Sequence, residues 1–169
     1  MYQEIFAQMT KELRQAEKWL DAAVAHAEAK KFDPNLFLTF RLAPDQFAFA
    51  RQIQAVCDTA KLAASRLSGT EAPKQEDNGT TIDELRTRLR AVAEFVGGFS
   101  AKDFEAAATR VISQPRWEGK TMTGANYFIE HAVPNFFFHL TTAYAILRHN
   151  GVGVGKRDYL GAITYTPAP

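Results

Sequence analysis

Residues 124–151 read GANYFIEHAVPNFFFHLTTAYAILRHNG, and this stretch decides the fold. It carries three of the chain's four histidines, one proline, and glycine only at its two ends. Thr123 stands before it as an N-cap. Arg148 and His149 place positive charge in the last turn, and Gly151 suits the residue just past a helix end. Pro134 removes one backbone donor and crowds the turn before it, so a kink is expected there, with the periodic pattern resuming beyond. Phe128, Ala132, Asn135, His139, Thr142, Ile146 and His149 recur at four–three spacing and so share one helix face. An ordinary seam would be apolar throughout. This one predicts a buried polar row at its middle, with Asn135 and His139 one turn apart and able to address one ligand.

Working outward, 111–123 holds β-type residues around Glu118-Gly119 and predicts a short hairpin or irregular crossover. Trp117 within it covers an opening of the bundle or lines a cleft. A helical turn is expected at 100–105. Before it lies a third helix, opened by the capping box Thr81-x-x-Glu84, with Leu85, Leu89, Val92 and Val96 inside and Gly97-Gly98 at its end. Its Arg86, Arg88 and Arg90 lie two apart, point to different sides, and read as a solvated face. The polar stretch 70–79 is a linker. A second helix is expected over 44–68, with Pro44 at its first position and the seam Phe49, Ile53, Val56, Ala60, Ala63 and Leu67. Gln52, Gln54 and Asp58 lie to the sides of that seam, and Cys57 reads as a small core residue. In the connection 31–43, Arg41 either pairs with Asp45 or reaches a pocket. The first helix, 3–30, repeats apolar residues from Phe6 to Ala27. Beyond the last helix, Gly151, Gly153 and Gly155 complete no phosphate-loop fingerprint and read as a turn. Tyr159 and Leu160 are expected to dock on the bundle, and 164–169 to form a loose tail.

Four heptad helices in 169 residues predict an all-α, antiparallel four-helix bundle forming one domain, 1–169. The long connections 31–43 and 97–123 leave its topology open. Hydrophobic residues are 46% and charged residues 23%, and the formal charge of +1 creates no field suited to nucleic acid or an acidic membrane. The lone Cys57 excludes an internal disulfide and a cysteine-based zinc cluster. With no signal-peptide pattern and no long apolar run, the cytoplasm is the expected location.

The segments RLAPDQF (41–47), HAVPNFFFHLTTAYAILRHNG (131–151) and GKRDYLG (155–161) resemble the DinB/YfiT-like superfamily of bacterial four-helix bundles. The likeness is to an uncharacterised branch of it, a domain of unknown function, within a superfamily that includes metalloenzymes. Metal-bearing members hold an ion such as nickel or zinc with three histidines, one in helix two and two lying four apart in helix four. The resemblance places His139 at the second helix-four ligand, Asn135 at its partner, and Gln54 or Ala55 near the helix-two position. Two of three ligands are thus replaced by groups that bind transition metals weakly or not at all. His131 lies eight residues before His139, about 12 Å along the axis, too far to share an ion. No metal centre and no cofactor are expected, nickel or zinc being the alternative.

Three functions follow as expectations. In the first, Asn135, His139, Thr142, Gln54 and Arg41 line a polar pocket between helices two and four that takes a small molecule. In the second, His139 is the general base of a thiol-transferase or hydrolase, oriented by Asn135 or Gln54. In the third, the polar row only fixes helix register in a homodimer. A homodimer is expected because Phe136, Phe137 and Phe138 point to three sides of one helix.

Overall fold

Helices of this length form because each buries an apolar stripe, since propensity alone leaves them marginal in water. The protein, described as a computed structural model over residues 1–75 and 80–166, follows that rule. Part of the expected linker, 76–79, and the end of the expected tail, 167–169, lie outside the described residues. α1 (Tyr2–Lys30) buries Phe6, Met9, Leu13, Ala16, Leu20, Ala23 and Ala27. α2 (Phe49–Ser68) buries its whole expected seam and stops at Gly69, whose φ of 83° suits glycine. α3 (Ile82–Gly97) opens on the expected capping box. There the Thr81 hydroxyl accepts the Glu84 N–H at 3.2 Å, and the Glu84 carboxylate accepts the Thr81 N–H at 3.0 Å. α1 packs chiefly on α3, and α2 on the fourth long helix, with α2 and α3 also in contact. No helix of the structure is long and apolar enough to cross a membrane.

Between α3 and the fourth helix, β1 (Val111–Ser113) and β2 (Thr121–Thr123) form the short antiparallel hairpin, in register Val111 with Thr123. A 3-10 turn at Pro115–Trp117 joins them. The fourth helix starts as α4 (Gly124–Asn126), widens into a π turn (Tyr127–Ala132) and continues as α5 (Val133–His149). After it, α6 (Lys156–Leu160) is tied down. Gln15 and Trp19 each donate to the Asp158 carbonyl at 3.0 Å, and the Tyr159 ring stacks on Trp19.

The structure corrects three expectations. The second helix begins at Phe49, five residues after Pro44. The Phe49 N–H is drawn to the Phe40 carbonyl at 2.8 Å, so residues 41–48 fold as a loop against the helix start. Of the α3 arginines only Arg90 stays largely exposed, and Arg86 and Arg88 do not form a solvated face. Arg86 pairs with Asp21, Arg88 with Asp58 at 2.8 Å, and Arg90 with Glu17 at 2.5 Å, so they clamp α3 to its neighbours.

The third correction concerns the seam of the fourth helix. It does not run through Asn135 and His139. Phe128, Ala132, Phe136, Leu140, Ala143 and Leu147 form it, all at most 1% exposed. In the π turn the Val133 N–H reaches the Phe128 carbonyl five residues back, and Pro134 has no N–H to pull the ladder tight again. The turn absorbs one extra residue. Asn135 and His139 are therefore displaced from the seam by one residue, while Thr142 and Ile146 stay buried as expected.

One core polar group carries a prediction. Glu12 is 1% exposed, its Oε1 accepts from Gln8, and its Oε2 has no partner among the described residues. Burial pushes its carboxyl above the ordinary value of 4.5. The folded chain thus holds this proton more tightly than the unfolded chain. The penalty is full above the raised value and is relieved as pH falls toward the ordinary one. Glu12→Gln should raise Tm at pH 7.5 and flatten the gain that acidification brings to the wild type. Scanning calorimetry across that range checks it, and an unchanged or lower Tm at pH 7.5 would sink the idea.

Candidate functional site

The one-residue shift has a consequence for chemistry. It moves Asn135 and His139 off the seam and onto its shoulder, where they face α2 across a groove of about 420 Å³. His131, Asn135 and His139 recur every four residues along one side of the groove. Arg51, Ala55, Thr59, Leu62 and Arg66 of α2 form the other side, at helical spacing. Phe47 closes one end, and Gln114 to Arg116 with Tyr127 close the other.

At the Phe47 end the polar groups form an oriented chain. The Gln52 amide nitrogen donates to the Phe47 carbonyl at 3.1 Å, so its oxygen faces His139 and accepts from Nδ1 at 2.7 Å. His139 therefore carries its proton on Nδ1 and keeps a lone pair on Nε2. Gln52 is 1% exposed, so this orientation is locked by the core. Burial, with the Arg51 charge added, holds the imidazole below its ordinary pKa. The exposed Phe47 ring lies nearly parallel to it at 6.1 Å. In mid-groove the Asn135 amide donates to the Thr59 hydroxyl at 2.7 Å, and that hydroxyl donates to the Ala55 carbonyl.

At the other end Arg116 meets Nε2 of His131 at 2.6 Å, and Arg66 donates to the Tyr127 hydroxyl at 3.0 Å. The Tyr127 and His131 rings stack at 5.4 Å. Trp117 stands edge-on to both rings. Burial first, then the charges of Arg116 and Arg66, lowers the His131 pKa.

Of the residues expected at the site, the groove gathers Asn135 and His139. Thr142 is turned away and spends its hydroxyl on the Phe138 carbonyl at 2.8 Å. The Gln54 oxygen accepts from Arg51 on the same helix at 3.2 Å, away from His139. Arg41 is exposed and donates to the Pro44 carbonyl at 3.2 Å. Sequence reasoning missed Gln52, His131, Arg66 and Arg116. The repeat 131–135–139, which puts three polar side chains on one helix face, is the signal that the sequence offers for His131.

A divalent metal does not fit these groups. Among the described residues no cluster of three or more His, Cys, Asp or Glu exists. His131 Nε2 is engaged by a guanidinium, and Asp58, the groove's carboxylate, is held by Arg88 at 2.8 Å and Lys61 at 3.4 Å. A thiol nucleophile is also lacking, since Cys57 is fully buried and burial pushes it up to about 12.

Comparison with known proteins agrees with the architecture. No curated protein matches the chain. A crystal structure of a DinB family member protein from Shewanella denitrificans is 50% identical, covering 99% of this chain and 98% of that one with a TM-score of 0.93. Residues 1–160 match a family described as a domain of unknown function (DUF1993). With the family matched over nearly the whole length and the solved structure superposing over 99% of it, the chain belongs to the DUF1993 family and has the DinB-like fold.

Proposed function

We propose that the protein is a metal-free small-molecule-binding module whose site is the groove between α2 and α5. The observation that supports it is the chain from the Phe47 carbonyl through Gln52 to His139. A buried amide that fixes one tautomer presents a defined acceptor, Nε2, in a half-buried cleft beside an aromatic ring. Ligand sites combine such a small number of placed polar groups with apolar walls. A register-fixing network would need no cleft beside it.

The test is a small-molecule library screened by thermal shift against wild type and His139→Gln. A ligand binding the native state at one hundred times its Kd adds about 2.7 kcal/mol. At least one compound should stabilise the wild type and shift the His139 ring signals by NMR, with the effect lost in the variant. Compounds that stabilise both proteins equally, or none at all, would overturn the reading.

A second reading has one supporting observation. A neutral, oriented imidazole with a free Nε2 is also what a general base requires. Hydrolysis or thiol transfer would then use His139 positioned by Gln52, with both reacting partners supplied as substrates. Turnover of an activated ester, abolished by His139→Gln, would favour this reading over simple binding.

A further inference from the structure

We propose that the end of the groove built by Arg66, Arg116, Gln114 and His131 is a subsite for an anionic group, a phosphate or carboxylate, of the bound small molecule. This rests on the groove being a ligand site and adds the class of ligand. The subsite is separate from the His139 end. His131 and His139 are eight residues apart, about 12 Å along the helix.

Its chemistry is one-sided. A guanidinium has donors and no acceptor, so in the 2.6 Å contact with Arg116 it is His131 Nε2 that accepts. The ring proton then sits on Nδ1. That Nδ1 is buried with no partner among the described residues, and so is the amide nitrogen of Gln114. Both are donors, and their residues line the groove together with Arg66 and Arg116. An unmatched buried donor is costly, so two of them at one end of the groove favour an acceptor-rich ligand.

The charges agree. Arg86, Arg88 and Arg90 of α3 each meet a carboxylate. Arg66 and Arg116 instead meet a phenol and an imidazole, and no carboxylate pairs with either among the described residues. Asp58 lies eight residues from Arg66, about 12 Å along α2, and is held by Arg88 and Lys61. Two like charges thus converge on a half-buried imidazole with no carboxylate paired to either among the described residues. A neutral or cationic group would leave that repulsion in place. A phosphate or carboxylate would relieve it through charge-assisted, planar contacts that guanidinium groups make well.

The experiment titrates inorganic phosphate, benzoate and neutral benzamide into the full chain, following both histidine rings by NMR at constant ionic strength. At least one anion should shift the His131 signals and raise its apparent pKa, with benzamide at least about tenfold weaker. The stronger of the two anions tells phosphate from carboxylate. Arg116→Gln, an exposed position that should fold normally, and Arg66→Gln should each weaken that binding about tenfold or more. Benzamide binding as tightly as the anions, anion shifts unchanged in both variants, or no His131 response to any probe would overturn the subsite. Shifts confined to His139 would overturn it too while leaving the groove as a binding site. The library screen with His139→Gln judges the groove itself independently.

Discussion

Gly124→Ala should unfold the junction between hairpin and fourth helix and produce a large stability loss. A Cβ at this position would stand 1.9 Å from the Ala107 carbonyl oxygen and 3.0 Å from Leu67 Cδ2. The obstacle is backbone, not the tip of a flexible side chain. The Gly124 N–H is itself fastened to the Arg110 carbonyl at 2.7 Å, so the chain cannot swing aside without opening β1 from β2. Overpacking a tight site costs about 1–3 kcal/mol, and a clash with backbone belongs at or beyond the top of that range. For a chain of this size that is a Tm lower by about 6–12 °C. Gly153→Ala is the control, because a Cβ there meets nothing within 4 Å. Thermal unfolding followed by circular dichroism decides the matter. A Gly124→Ala protein melting with the control would show that the close approach does not exist.

Gln52→Leu should have the second largest effect, felt in stability and in the site together. Leucine preserves the approximate volume but removes both hydrogen bonds, leaving the Phe47 carbonyl and His139 Nδ1 without their partner. Both bonds are part-buried, so each loss belongs at the low end of the about 1–3 kcal/mol that an unmatched buried group costs. The more specific readout is the tautomer. In wild type the His139 ring should be held as Nδ1–H, visible in its side-chain nitrogen shifts; in the variant that preference should vanish and any groove ligand should weaken with it. The wild-type ring should also resist protonation, since burial and Arg51 keep its pKa below the ordinary 6.5. Its contribution to stability is therefore lost as pH falls below 6.5, where the unfolded chain takes up a proton that the native chain refuses. A wild-type His139 already mixed between tautomers would show that Gln52 does not orient it.

Much of the architecture was legible in the residues because it depends on local chemistry and period. The seams of α1, α2 and α3, the Thr81 capping box and the glycine stops need only near neighbours. The hairpin, the docking of Tyr159 and the DinB-like likeness also stood in the sequence. Asn135 and His139 were singled out, but for burial in a seam they do not occupy. A heptad count assumes an unbroken ladder of bonds four residues back. Pro134 shows that the ladder is disturbed, not that the chain takes up one extra residue; with that residue absorbed, Phe136 and Leu140 are the ones fully buried.

The rest of the groove was decided only by tertiary structure. Gln52 and Gln54 stand on one helix, and only the contact across to α5 shows that it is Gln52 that meets His139 while Gln54 meets Arg51. Arg66, Arg116 and His131 come from a helix, a hairpin turn and a π turn, and no spacing along the chain relates them. The α3 arginines look like their equals in sequence. Only their partners across the bundle, Asp21, Asp58 and Glu17, show that those charges are spent on the fold while Arg66 and Arg116 are left facing the groove. Period and capping act within a few residues and can be read from them; charge balance and cleft shape depend on which distant groups meet, and that is settled when the helices pack.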